Sequence, residues 1–162
     1  MRTCTFFGHR RCSQSISNEV KACIVDLIKN KGVDLFYVGN NGAFDCLVRD
    51  ILMELESVYD IKYYVVLAYM PGKSEPFSNF DWRISLYPDG LEKVPPKFAI
   101  DWRNKWMLKQ SEFVVVFIEK FPSNALKYAE MAAKKGKKII SLGKSKYFER
   151  LMEIRNVNID IE

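Results

Sequence analysis

Leu35-Phe36-Tyr37-Val38-Gly39-Asn40-Asn41-Gly42-Ala43-Phe44-Asp45 joins a short apolar run to an amphipathic one through a turn that contains two glycines. The run Leu35 to Val38 is aromatic and β-branched, with a Lys-Gly pair before it and Gly39 after it, which predicts a buried strand. Phe44, Leu47, Val48, Ile51, Leu52 and Leu55 then recur at helical spacing, which predicts a helix from about 43 to 57. A turn that ends a strand and opens a helix aims unpaired backbone N–H groups and the positive end of a helix dipole at one spot. That geometry holds anions, phosphate above all. Gly39, Asn40, Asn41 and Gly42 are therefore candidate ligand-binding residues, although such turns also use glycine for backbone reasons alone.

A second loop of the same type strengthens the reading. Thr3 to Phe7 predicts a first strand that runs straight into Gly8-His9-Arg10-Arg11, where a glycine turn precedes the chain's one histidine and two guanidinium groups. Two consecutive parallel strands carry their carboxyl ends to the same sheet edge, where open α/β folds bind ligands. Arg10 suits a forked contact with phosphate or carboxylate, and His9 a hydrogen bond to a sugar or base. The plainer alternative makes Arg10 and Arg11 solvated loop charges and His9 a helix cap.

A length of 162 residues suits one domain spanning 1–162 that buries a core without disulfides or metal. The hydrophobic fraction of 48% and aromatic fraction of 14% exclude a disordered chain. A net charge of +5 is mild, and its densest cluster, Lys134 to Lys138, falls where a helix should end and lysines complement the dipole. Cys4, Cys12, Cys23 and Cys46 form no C-x-x-C pair, so neither a zinc site nor a disulfide framework is expected, and no cofactor is read from the chain. The N-terminus opens on a strand without an apolar signal segment, and no apolar run reaches membrane-spanning length. The expected location is cytoplasmic, with no membrane partner.

Along the rest of the chain, Val20, Ile24, Leu27 and Ile28 mark one face of a helix ending near Gly32, and Tyr63 to Leu67 predicts a third strand. A long segment, 68–96, follows without sustained period, and a loop of that length inside a domain is usually functional or disordered. Trp82 within it suits either a base-stacking lid or a hydrophobic plug. A helix over 98–108 follows Pro95-Pro96. A fourth, wholly apolar strand covers 113–118, with a helix from Asn124 to Lys135, a fifth strand at 139–142 and a last helix over 147–154. Strand and helix alternate throughout. The predicted fold is a doubly wound α/β domain, with a mainly parallel five-stranded sheet and helices on both faces.

Thr5-Phe6-Phe7-Gly8-His9-Arg10, Tyr37 to Asp45 and Arg103-Asn104-Lys105-Trp106-Met107, in that order, resemble the YpsA-like branch of the SLOG superfamily. That superfamily of Rossmann-like domains also includes the DprA/Smf proteins and the LOG phosphoribohydrolases. The resemblance implies binding of nucleotides or nucleotide-derived ligands, and in some members hydrolysis of the bond between base and ribose phosphate. LOG enzymes carry a P-G-G-x-G-T-x-x-E loop after the fourth strand. Here the register gives Pro122-Ser123-Asn124-Ala125-Leu126-Lys127-Tyr128-Ala129-Glu130, with serine, asparagine and leucine where glycines stand. A Cβ at those positions hinders close approach of backbone to phosphate, while Ser123 and Asn124 retain side-chain hydrogen bonds for an altered anion site or a helix cap. The LOG pattern would assign Arg103 to clamping phosphate and Glu130 to stabilising an oxocarbenium-like ribose. Glu130 reads more readily as a solvated helix carboxylate. Asp45 would either complement the helix dipole or bond a ribose hydroxyl.

The expectation drawn from these readings is a nucleotide-ligand sensor or regulator. The alternatives are an N-glycosidic hydrolase or transferase on nucleoside monophosphates, and a single-stranded nucleic-acid binder. A loose likeness of 113–142 to nucleoside deoxyribosyltransferases puts their nucleophilic glutamate at Tyr128, which cannot serve. The basic pI of about 9.0 allows nucleic acid as a partner, but no basic stripe with interleaved aromatics favours it. The aromatic helix around Trp102 and Trp106 offers a face for a homodimer.

Overall fold

The structure, a computed structural model, describes residues 1–70, 81, 83–119 and 123–143. Trp82, Pro122 and the helix predicted over 147–154 lie outside those residues. Five strands fall where the apolar runs predict them: β1 (Arg2–Phe7), β2 (Val33–Val38), β3 (Lys62–Val66), β5 (Phe113–Phe117) and β6 (Lys138–Leu142). Among the described residues the sheet has six strands rather than five. The additional β4 (Ser85–Leu86) sits inside the long segment and is only two residues long. Too short to show a period, it exists because β3 lends it a ladder: the Val65 N–H donates to Ile84 O at 2.7 Å and the Leu67 N–H to Leu86 O at 2.8 Å.

The strand order is β4-β3-β2-β1-β5-β6, and every neighbouring pair is parallel. The chain walks outward from β1 to β4, then returns to place β5 on the other side of β1. The order therefore reverses between β1 and β5. α1 (Ser17–Lys31) and α2 (Ala43–Leu55) supply Val20, Ile24, Leu27, Phe44 and Leu52 to one face of the sheet. α3 (Ala99–Gln110) and α4 (Asn124–Lys134) supply Met107, Leu108, Leu126 and Ala129 to the other. β5 is buried at every residue because it serves both layers, Phe113, Val115 and Phe117 toward one and Val114 and Val116 toward the other.

At the amino edge of the sheet, Glu112 receives Arg2 at 2.7 Å and Lys138 at 3.1 Å, and these contacts hold its carboxyl down at about 2. The Arg2 N–H donates to Asp34 at 3.0 Å. These bonds tie together four strands at the end opposite the glycine turns. The carboxyl edge is left to the loops.

Candidate ligand site at the carboxyl edge of the sheet

The two glycine turns interlock. A Cβ on Gly42, whose φ is +107°, would lie 2.6 Å from Arg10 Cα, and one on Gly8 would lie 2.3 Å from the Phe44 ring. Both loops need glycine because each is pressed against the other, which agrees with the spacing read from the sequence. The closeness also redirects backbone donors. The Ala43 N–H donates to Arg10 O at 2.7 Å and the Phe44 N–H to His9 O at 3.4 Å. The opening amides of α2 are thus turned onto protein carbonyls, and an anion at this edge would be met mainly by side chains.

His9 is buried at the reversal of strand order. Its Nε2 accepts the Glu119 N–H at 2.8 Å, and its ring stands edge-on to Phe117 with centroids 5.9 Å apart. His9 therefore bridges the ends of β1 and β5. Arg10 and Arg11 are exposed beside it, and no ion pair of either is present among the described residues.

Arg103 is 1% exposed, the largest of the fully buried side chains. Its Nε donates to Asn104 Oδ1 at 2.8 Å, Nη1 to Val66 O at 2.8 Å and Asn40 Oδ1 at 3.2 Å, and Nη2 to Asn41 Oδ1 at 2.8 Å. All four acceptors are neutral oxygens. A buried cation normally sits against a carboxylate, because desolvating an unpaired charge is costly. Here no ion pair of Arg103 is present among the described residues.

Asp45 acts on Arg103 through space, without contact. Its Oδ2 accepts the Asn41 N–H at 3.0 Å. The protein packed around it outweighs that bond and the pull of Arg103, so the carboxyl is pushed up to about 6, even though part of the residue remains accessible. Gly39 is squeezed between the two: a Cβ there would lie 2.7 Å from Asp45 Oδ2 and 3.2 Å from Arg103 Cζ. Gly39, Asn40, Asn41, Asp45 and Arg103 are thus one group, drawn from the β2–α2 turn, α2 and α3.

The remaining candidates lie apart from it or serve α4. Ser123 caps α4 by accepting the Leu126 N–H at 3.1 Å, and Asn124 is exposed in the first helical position. Glu130 lies two turns into α4 and is half-buried. Between α3 and α4, Asp101 Oδ1 accepts from Tyr128 Oη at 2.7 Å and Lys127 at 2.9 Å, and Oδ2 from Lys105 at 2.8 Å. Burial alone would raise the Asp101 carboxyl, but these bonds together bring it well below the usual range. Trp106 stands edge-on to Tyr37 at 5.4 Å, and Trp102 packs on the cluster of Ala68, Leu91 and Ala99.

The sequence reading passed over Tyr69 and Phe98. Tyr69 follows β3 at the carboxyl edge, donates its hydroxyl to Pro96 O at 2.9 Å and lies near enough to Arg103 to act on its charge. Tyr69 is 46% exposed and Phe98 53%. The signal available was their place, just after a strand and just before a helix that both deliver site residues.

The fold and this edge define a Rossmann-like α/β protein with a polar, partly cationic group at the carboxyl ends of β1 to β3. Among solved structures, the chain is similar to DNA processing protein A (DprA) from Streptococcus pneumoniae, with a TM-score of 0.66 and 19% identity over 99% of this chain. It spans 56% of that protein's chain. It is also similar to DNA processing protein A from Helicobacter pylori, a structure described for its single-stranded DNA binding mode. There the TM-score is 0.65 and the identity 15%, covering 99% of this chain and 80% of that one. The shared fold agrees with the Rossmann-like fold that the resemblance of the three sequence motifs implies. Neither neighbour represents the YpsA-like branch. No family model matches the chain, and no curated protein sequence does. Among the described residues no helix is long and apolar enough to cross a membrane.

Proposed function

We propose that the protein binds single-stranded nucleic acid along the carboxyl edge of its sheet, with a phosphate group received beside the β2–α2 turn. The observation that carries this reading is the buried Arg103, a cation met only by neutral oxygens, at an edge that also exposes Arg10 and Arg11. The net charge of +5 and the exposed rings of Tyr69 and Phe98, which suit base stacking, support a strand. So does the likeness in fold to a protein described for binding single-stranded DNA.

A second reading, a free nucleotide bound as a regulatory ligand, draws on the compactness of the group Asn40, Asn41, Asp45 and Arg103. The hydrolase alternative draws less support. Arg103 spends four of its five N–H donors within the protein, and Glu130 stands six residues, about 9 Å of helix rise, beyond the start of α4. Cytoplasmic location and a homodimer through the Trp102 and Trp106 face remain parts of this proposal.

The test is fluorescence anisotropy with a labelled oligothymidylate, its duplex counterpart and a panel of mononucleotides. Single strands are expected to bind, weakening linearly in log–log with salt, and Arg10→Ala is expected to reduce that slope by about 1. Mononucleotide binding alone would turn the conclusion to the second reading. No binding of either would end both.

A further inference from the structure

Asn40 and Asn41 meet Arg103 in a way that fixes which end of each amide faces outward. A guanidinium has five N–H donors and no acceptor, so an amide that bonds to it must present its oxygen. Nη1 holds Asn40 Oδ1 at 3.2 Å and Nη2 holds Asn41 Oδ1 at 2.8 Å. Each Nδ2 amino group therefore points away from Arg103, and neither has a hydrogen-bond partner among the described residues. Asn40 is exposed and Asn41 half-buried. Val66 O and Asn104 Oδ1 take further donors of Arg103, so the guanidinium is locked from behind. The Arg10 stem runs alongside the same turn, with Cγ 3.2 Å from where a Gly42 Cβ would lie.

We propose that Asn40 and Asn41, held oxygen-inward by Arg103, form a pair of amide donors that binds a phosphate group, with Arg103 as the positioning residue behind them. Phosphate fits better than a base edge. Phosphate oxygens only accept, whereas base edges mix donors with acceptors, and a cationic side chain stands next to the pair. The inference rests on the nucleic-acid reading for the source of the phosphate, a strand rather than a free nucleotide.

Asn40→Asp and Asn41→Asp keep an oxygen for Arg103 and remove the outward donors. Each is expected to leave the thermal midpoint unchanged or raised, while oligothymidylate affinity falls about tenfold or more. The added carboxylate also repels phosphate, so this loss supports the donor pair together with the response of the wild-type amides to phosphate. If wild type and both variants bind the oligonucleotide alike, the donor pair is wrong and the nucleic-acid reading survives.

A titration with inorganic phosphate, followed through the side-chain amide resonances of Asn40 and Asn41, separates the two claims. If these resonances move with phosphate while no oligonucleotide binds, the pair stands and the strand reading fails. If they move with neither, the inference is overturned. Arg103→Lys keeps the charge but cannot hold both amides, and it is expected to lose the phosphate response. A folded Lys variant that retains it would overturn the positioning role, and the two Asp variants carry the test if that variant does not fold.

Discussion

At Asp45 burial raises the carboxyl, while the Asn41 N–H and the field of Arg103 lower it, and burial is the larger effect. The folded chain keeps a proton between pH 3.8 and about 6 that the unfolded chain releases. The stability that Asp45 contributes therefore falls as pH rises through that window and levels off above it. The difference amounts to at most about 3 kcal/mol at 1.36 kcal/mol per pH unit. Asp45→Asn keeps an oxygen for the Asn41 N–H but does not titrate. The wild-type denaturant midpoint, taken relative to that of the variant at each pH, should decline across the window, since Glu112 and Asp101 titrate alike in both proteins; parallel curves would show that Asp45 ionises in the fold as it does in the unfolded chain. Asp45 was legible as a first-turn carboxylate on α2, but its raised carboxyl was not. That shift comes from burial in the folded chain, opposed by Arg103 on a helix that starts 54 residues later. Arg103 was legible as a site residue for its motif alone. Nothing local indicates that its charge is spent on holding two asparagines.

The elements were easier to read than their capping and edges. β5 announces itself because five successive apolar residues have no use except burial on both faces. β4 was silent because its two residues borrow their pairing from β3. The β5–α4 connection shows why glycines can be absent from that turn. Ser123 is extended at φ −149°, ψ 151°, and no non-glycine residue among those described has a positive φ. Ser123 opens α4 by capping, and the hydroxyl oxygen takes a helix donor that would otherwise be unsatisfied. Ser123→Ala is expected to cost about 1 kcal/mol in urea unfolding. If the hydroxyl instead met only the ligand, the variant would lose affinity at unchanged stability.

For the whole molecule, the alternation of strands and helices was enough to predict a doubly wound sheet, since right-handed crossovers leave few other arrangements. The choice of the carboxyl edge as the candidate site followed from the same logic. What could not follow was the side-chain architecture that closes it. Arg103 reaches Val66, Asn41 and Asn40 across 37, 62 and 63 positions of sequence. The β1–α1–β2–α2–β3 portion can thus gather its core before the guanidinium that secures its loops has arrived, because contacts across long loops form late. Arg103→Met should accordingly speed unfolding and leave the refolding rate nearly unchanged in stopped-flow chevrons; a slowed refolding limb would place Arg103 in the nucleus instead. Order of assembly then decides when the turn is fixed: a chain that has collapsed but not yet threaded Arg103 into place has nothing to hold the oxygens of Asn40 and Asn41 inward, so the donor pair proposed above would form only in the fully folded molecule.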